Sequence, residues 1–133
     1  MKTVLTISFV TLIALMLACG YSSKSTPPVA GTMPAISALN PESVTAGGAA
    51  FMLTVNGSNF GAKAVVNWNG AAQTANTTYV SAGQLTVAVP ASLIANSGTV
   101  SITVTNPATA GTGIYGTGAT LAETSSSMSF TIN

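Results

Sequence analysis

Charge is almost absent from this sequence. Among 133 residues there are three lysines and two glutamates, with no arginine, aspartate or histidine. The cations are Lys2, Lys24 and Lys63, and the anions are Glu42 and Glu123. Without a basic stripe the chain cannot neutralise a phosphate backbone, so nucleic acid is excluded as a partner. Without histidine, none of the many serines and threonines has an imidazole base, which excludes a Ser-His-Asp arrangement. A single cysteine and no histidine make no zinc site, and two scattered carboxylates are a poor set for calcium. General acid–base work needs groups that titrate near neutrality or a pair of carboxylates. Glu42 falls in an early turn and Glu123 in a late loop, and nothing in the sequence brings them together. The expectation is a non-enzyme with no catalytic residue, no metal and no cofactor. The glycine-rich stretch "GTGIYGTG" precedes no helical pattern and has no lysine, so it is not read as a phosphate loop.

The lone cysteine, Cys19, also excludes an intrachain disulfide. Low charge does not imply disorder here. Apolar residues make up 47% of the chain, enough for a core, and the high net charge of charge-driven disorder is missing. The length suits one domain plus appendages.

What is present begins with an address. Lys2 supplies a short positive start, and Val4 to Ala18 is an apolar run of about fifteen residues, in the range of a signal peptide. A spanning helix needs roughly 20 apolar residues; this run is too short and ends at the polar, helix-breaking "CGYSSKSTPP". The junction Met16-Leu17-Ala18-Cys19 resembles the bacterial lipobox, with Met16 where Leu is usual. That resemblance implies cleavage after residue 18 and a diacylglycerol on the sulfur of Cys19, so that the membrane becomes a partner through the anchor. The competing reading is a secreted protein in which Cys19 is discarded or stays free. Gly20, where Asp is associated with inner-membrane retention, implies export to the outer membrane on the same resemblance. Residues 19–33, rich in Ser, Thr and Pro, are expected to form a flexible tether.

From Pro34 onward the apolar period is two, the period of half-buried strands. "FMLTV" sets Phe51, Leu53 and Val55 on one face; "LTVAV" does the same with Leu85, Val87 and Val89. "VSITV" sets Val100, Ile102 and Val104 inward, and "MSFTI" sets Met128, Phe130 and Ile132. "AVVNWNG" is a weaker strand that buries Val66 and Trp68, and a first strand runs around Ile36 to Leu39. Turn residues punctuate these runs: Asn40-Pro41, Gly47-Gly48, Asn56-Gly57, Gly61, Asn69-Gly70, Gly83 and Gly98. "PASLIAN" has room for a single helical turn. The prediction is an all-β domain over residues 34–133, a β-sandwich of about seven antiparallel strands.

Those residues also carry a family resemblance. Pro34, Ile36 and Pro41, then Ala46 to Gly48, then Gly57, Asn59, Phe60 and Gly61, then Trp68 and Gly70, resemble the opening of an IPT/TIG domain. Gln84-Leu85, Val89-Pro90, Gly98, Val100, Val104 and Asn106-Pro107 resemble its second half. The resemblance spans Pro34 to Asn133 and implies an immunoglobulin-like topology. It also implies protein or carbohydrate contact, or a spacer role in larger surface proteins. One departure stands out: "NPATAGTGIYGTGATLAETSSS" replaces the short Gly/Ser link that usually leads to the last strand. Loops of that length are functional or disordered. The two readings are a floppy hairpin extension and a recognition loop with Ile114, Tyr115 and Leu121 as contacts.

The functional expectation is a lipid-anchored cell-envelope protein that presents this domain for protein binding or for a structural, adhesive role. A carbohydrate-binding module is the alternative; it requires Tyr79, Tyr115 and Trp68 to form an exposed aromatic patch. A third class, edge-strand pairing with an envelope protein, requires an uncovered, uncharged edge strand.

Overall fold

The computed structural model describes residues 27–112 and 118–133. The strands are β1 (Ala35–Asn40), β2 (Ser43–Val44), β3 (Phe51–Ser58), β4 (Val65–Trp68), β5 (Ala71–Ala72), β6 (Thr77–Ser81), β7 (Gln84–Val89), β8 (Gly98–Asn106), β9 (Glu123–Thr124) and β10 (Met128–Ile132). Seven of them have four or more residues, and β2, β5 and β9 have two each. The expected count of about seven therefore describes the long strands. "PASLIAN" makes one 3₁₀ turn, Ala91–Ile94.

Two sheets result. The first has the order β1-β3-β7-β6; the second has β2-β10-β8-β4-β5, with β9 also on β8. The pairs are antiparallel with one exception: β2 runs parallel to β10. That exception follows from a change of sheet, because the chain leaves β1 in the first sheet and crosses at Asn40–Ser43 to join the second.

The period-two pattern places the core as expected. Leu53, Val55, Leu85, Val87 and Val89 from the first sheet meet Val66, Val100, Ile102, Val104, Phe130 and Ile132 from the second, all buried. Each such side chain removed from water contributes about 1.5–3 kcal/mol. Phe130 is the aromatic centre. Its ring stacks on Phe51 of the opposite sheet at 5.9 Å between centroids and meets Trp68 at 5.4 Å and 56°. Trp68 is core, one of the two roles open to it from sequence. Phe60 plugs the core edge as expected.

The outward faces use amides and hydroxyls in place of charge. Asn67 donates from Nδ2 to Thr103 Oγ1 and Thr105 Oγ1, at 3.1 and 2.9 Å across β4–β8. Thr105 and Thr124 hydroxyls share a hydrogen bond of 2.8 Å across β8–β9.

Most turn signals lie where expected. Asn69 and Gly70 have φ of 49° and 84° and close the β4–β5 hairpin, the positive pair that a type I′ turn demands. Asn56-Gly57 is a correction: both residues lie inside β3 and make no turn. Gly57 is glycine for space, since a Cβ there would overlap the carbonyl oxygen of Ala35 and the ring of Phe60.

The registers define two ends. Ala35 pairs with Ser58, Asn56 with Gln84 and Val65 with Thr105, so the starts of β1, β4 and β7 and the ends of β3 and β8 share one end. The opposite end holds the Ala46–Gly48 turn, the 3₁₀ turn and the start of β8, tied by Gly47 N–H to Ile94 O at 2.8 Å.

Candidate functional site

The chain enters the sandwich at the end where β8 finishes, and Asn106 organises that end. Its Oδ1 accepts the N–H of Gly61 at 2.8 Å. Its Nδ2 donates to the carbonyl oxygens of Thr32 and Asn59, each at 2.8 Å. One amide thus holds the segment that enters the sandwich, the β3–β4 connection and the end of β8. Asn59 sits at φ 59°, a left-handed position that asparagine tolerates, and its own Nδ2 reaches Met33 O at 3.4 Å.

Residues 27–33 are exposed apart from the half-buried Gly31, but they are not free chain. Val29 N–H donates to Ala119 O, and Leu121 N–H donates to Val29 O, both at 3.0 Å. Gly31 lies so close to Leu121 that an added Cβ would come within 2.5 Å of the Leu121 carbonyl oxygen. The described part of the predicted tether is therefore a strap laid on the long loop. Backbone pairing of this kind leaves no side-chain periodicity, so the sequence showed only its Ser/Thr/Pro composition.

The base of the long loop is ordered by the same contacts. Thr109 and Thr120 exchange two backbone hydrogen bonds of 3.1 Å, and their hydroxyls meet at 2.7 Å. Nearer the sheet, Ser125 Oγ accepts the Val104 N–H at 2.9 Å, and β9 pairs with β8. Between strap, loop base and β3–β4 connection lies a cleft of about 540 Å³ lined by Phe60, Lys63, Asn106, Pro107 and Leu121 among others.

Of the predicted site residues, Leu121 stands at this cleft and is exposed. Ile114, Tyr115 and Cys19 lie outside the described residues. Asn106 was read from sequence only as part of an Asn-Pro motif. A stronger signal was available: position 106 continues the inward phase of Val100, Ile102 and Val104, so a polar residue there needs buried or semi-buried partners.

The aromatic patch needed for carbohydrate stacking does not assemble from the described residues. Trp68 is in the core, and Tyr79 stands by itself on β6 at 40% exposure. The edge-pairing reading meets a mixed result. β6 is an edge strand without charge, but its ladder slips between Tyr79 and Ser81, leaving Val80 unpaired. Such a bulge interrupts the template an incoming strand would use.

The carboxylates stay apart: Glu42 follows β1 at the far end and Glu123 lies in β9 beside Asn106. Among the described residues no group of three or more His, Cys, Asp or Glu side chains could hold a metal ion. Every buried side-chain nitrogen and oxygen among them has a hydrogen-bond partner. At this end Asn106 and the Thr109–Thr120 hydroxyl pair are engaged in holding the connections together.

A family model for the IPT/TIG domain matches residues 34–118, more than half of the chain. The match stops inside the long loop, before β10. The fold nevertheless places β10 between β2 and β8, with Phe130 at the centre of the core. No curated protein and no solved structure matches the chain.

Proposed function

Because the chain belongs to the IPT/TIG domain family, we propose that it is a lipid-anchored cell-envelope protein, non-enzymatic, that presents one immunoglobulin-like domain for protein binding or a structural, adhesive role. The observation that carries the reading is Cys19, the sole cysteine, directly behind Leu17-Ala18 at the end of a signal-like apolar run. An acyl chain contributes about 0.8 kcal/mol per buried CH₂, one chain holds only marginally, and two or three hold stably. Gly20 directs the anchored protein to the outer membrane. The partner is an envelope protein met by surface complementarity, since the buried polar side chains of the described residues are hydrogen-bonded within the domain. A polysaccharide partner draws less support, because Trp68 lies in the core.

The test is metabolic labelling with a palmitate analogue in a bacterial host. The wild-type chain is expected to take up label and partition into detergent, and Cys19→Ala to do neither. Label-free wild-type protein, or a Cys19→Ala variant that still partitions, would overturn the anchor.

A further inference from the structure

We propose that the Asn106 end of the sandwich rests directly on the lipid surface, with Val29, Met33 and Leu121 as its apolar contacts. The inference rests on the lipid-anchor reading and adds to it an orientation and a second membrane contact.

The strap fixes which end faces the bilayer. Residues 29 to 32 are bonded to Ala119, Leu121 and Asn106, so the chain cannot leave the domain anywhere else. Ten residues separate Cys19 from Val29 in the sequence. A stretch of that length reaches at most about 35 Å in any conformation. That is less than three times the radius of gyration of a 100-residue domain, about 13 Å. The Asn106 end is thus held within about 35 Å of the acyl chains.

The surface at that end suits the contact. Val29, Met33 and Leu121 are 65%, 60% and 50% exposed. They account for half of the exposed large hydrophobics among the described residues. The others, Met52, Tyr79 and Val80, lie on β3 and β6 of the first sheet. Lys63 and Glu123 both lie toward the Asn106 end, so their charges oppose. The contact is therefore apolar and needs no anionic lipid, unlike a basic patch.

The experiment uses the full lipidated protein in phosphatidylethanolamine–phosphatidylcholine vesicles. Ala122→Cys and Asn96→Cys place an environment-sensitive fluorophore beside Leu121 and at the opposite end; both positions are exposed. Acylated Cys19 cannot react with the label. Nitroxide-bearing lipid is expected to quench the probe at 122 at least about twofold more than at 96, as interfacial apolar contact requires. Adding Leu121→Glu with Met33→Glu should bring the two probes level while the protein still floats with the vesicles. Phosphatidylglycerol or added salt should change neither value. Floating protein with equal quenching at 122 and 96 overturns the surface contact and leaves the anchor standing. Quenching at 122 that disappears on dilution at constant lipid reveals contact between two copies and also overturns it. Protein that does not float removes the anchor, and the inference falls with it.

Discussion

Gly61 and Asn106, 45 residues apart in sequence, are joined by a 2.8 Å hydrogen bond from the Gly61 N–H to Asn106 Oδ1. The same side chain donates to Thr32 O and Asn59 O. Asn106→Ala removes all three bonds at a partly solvated site. It is expected to lower stability by about 1–2 kcal/mol. Asn106→Asp should cost more than Asn106→Ala, because it keeps the acceptor but turns a carboxylate oxygen toward two carbonyl oxygens. Urea unfolding of the three proteins gives the order; equal midpoints for Asp and Asn would show that the donated bonds carry no weight.

The strands that could be read from sequence are those with one buried face. In β3, β7, β8 and β10 the inward residues are mostly large and the outward ones mostly small or hydroxylic, Met52 being an exception, and burial enforces that alternation. β2, β5 and β9 have two residues each, too short for a period. They exist because neighbouring backbone groups pair, and backbone pairing writes nothing into side-chain chemistry. The strap at Val29 escaped notice for the same reason. Gly57 misled in the other direction: Asn-Gly marks hairpins where φ is positive, yet here the glycine answers to crowding inside a strand.

The site residues divide along the same line. Leu121 stood out as an apolar residue in a polar loop and is exposed at the cleft. Cys19, Ile114 and Tyr115 rest on sequence alone. Asn106, which holds the end together, was legible through its inward phase on β8 but not through any motif of chemistry.

Gly57 supplies a steric prediction. A Cβ at this position would overlap the Ala35 carbonyl and lie 2.5 Å from Phe60 Cζ. Backbone cannot yield as a flexible side chain can, so β1 must shift or Phe60 must leave its pocket. Gly57→Ala is expected to cost about 1–3 kcal/mol, the range for overpacking. Gly47→Ala serves as a contrast, since nothing lies within 4 Å of a Cβ there and its penalty comes from φ +69°. Thermal unfolding should rank Gly57→Ala the less stable; the reverse order would mean that strand β1 gives way freely.

Ser125 is the buried polar residue that latches the long loop to the sheet. Its Oγ accepts the Val104 N–H at 2.9 Å and donates to Ser126 O at 2.8 Å. Ser125→Ala leaves the Val104 N–H, on a fully buried residue, without this acceptor. The expected loss is about 1–3 kcal/mol. Loosening β9 should also expose the loop, so limited proteolysis between residues 107 and 122 should accelerate in the variant. Unchanged cleavage alongside reduced stability would separate the latch from the loop.

Trp68 is the sole tryptophan of the chain and is 5% exposed against Phe130. Its emission should therefore be blue-shifted in the folded protein, resist acrylamide, and shift red in a single cooperative step on unfolding. Phe130 contacts Trp68 and Phe51 together, so Phe130→Ala removes the ring that joins the two sheets. It is expected to cost about 3–5 kcal/mol. It should also redden Trp68 emission before global unfolding, because one wall of the indole site is lost. Phe130→Leu keeps most of that wall and should recover more than half of the loss. Native emission already red and freely quenched would contradict the burial of Trp68 and return it to the surface role that stacking on a sugar requires.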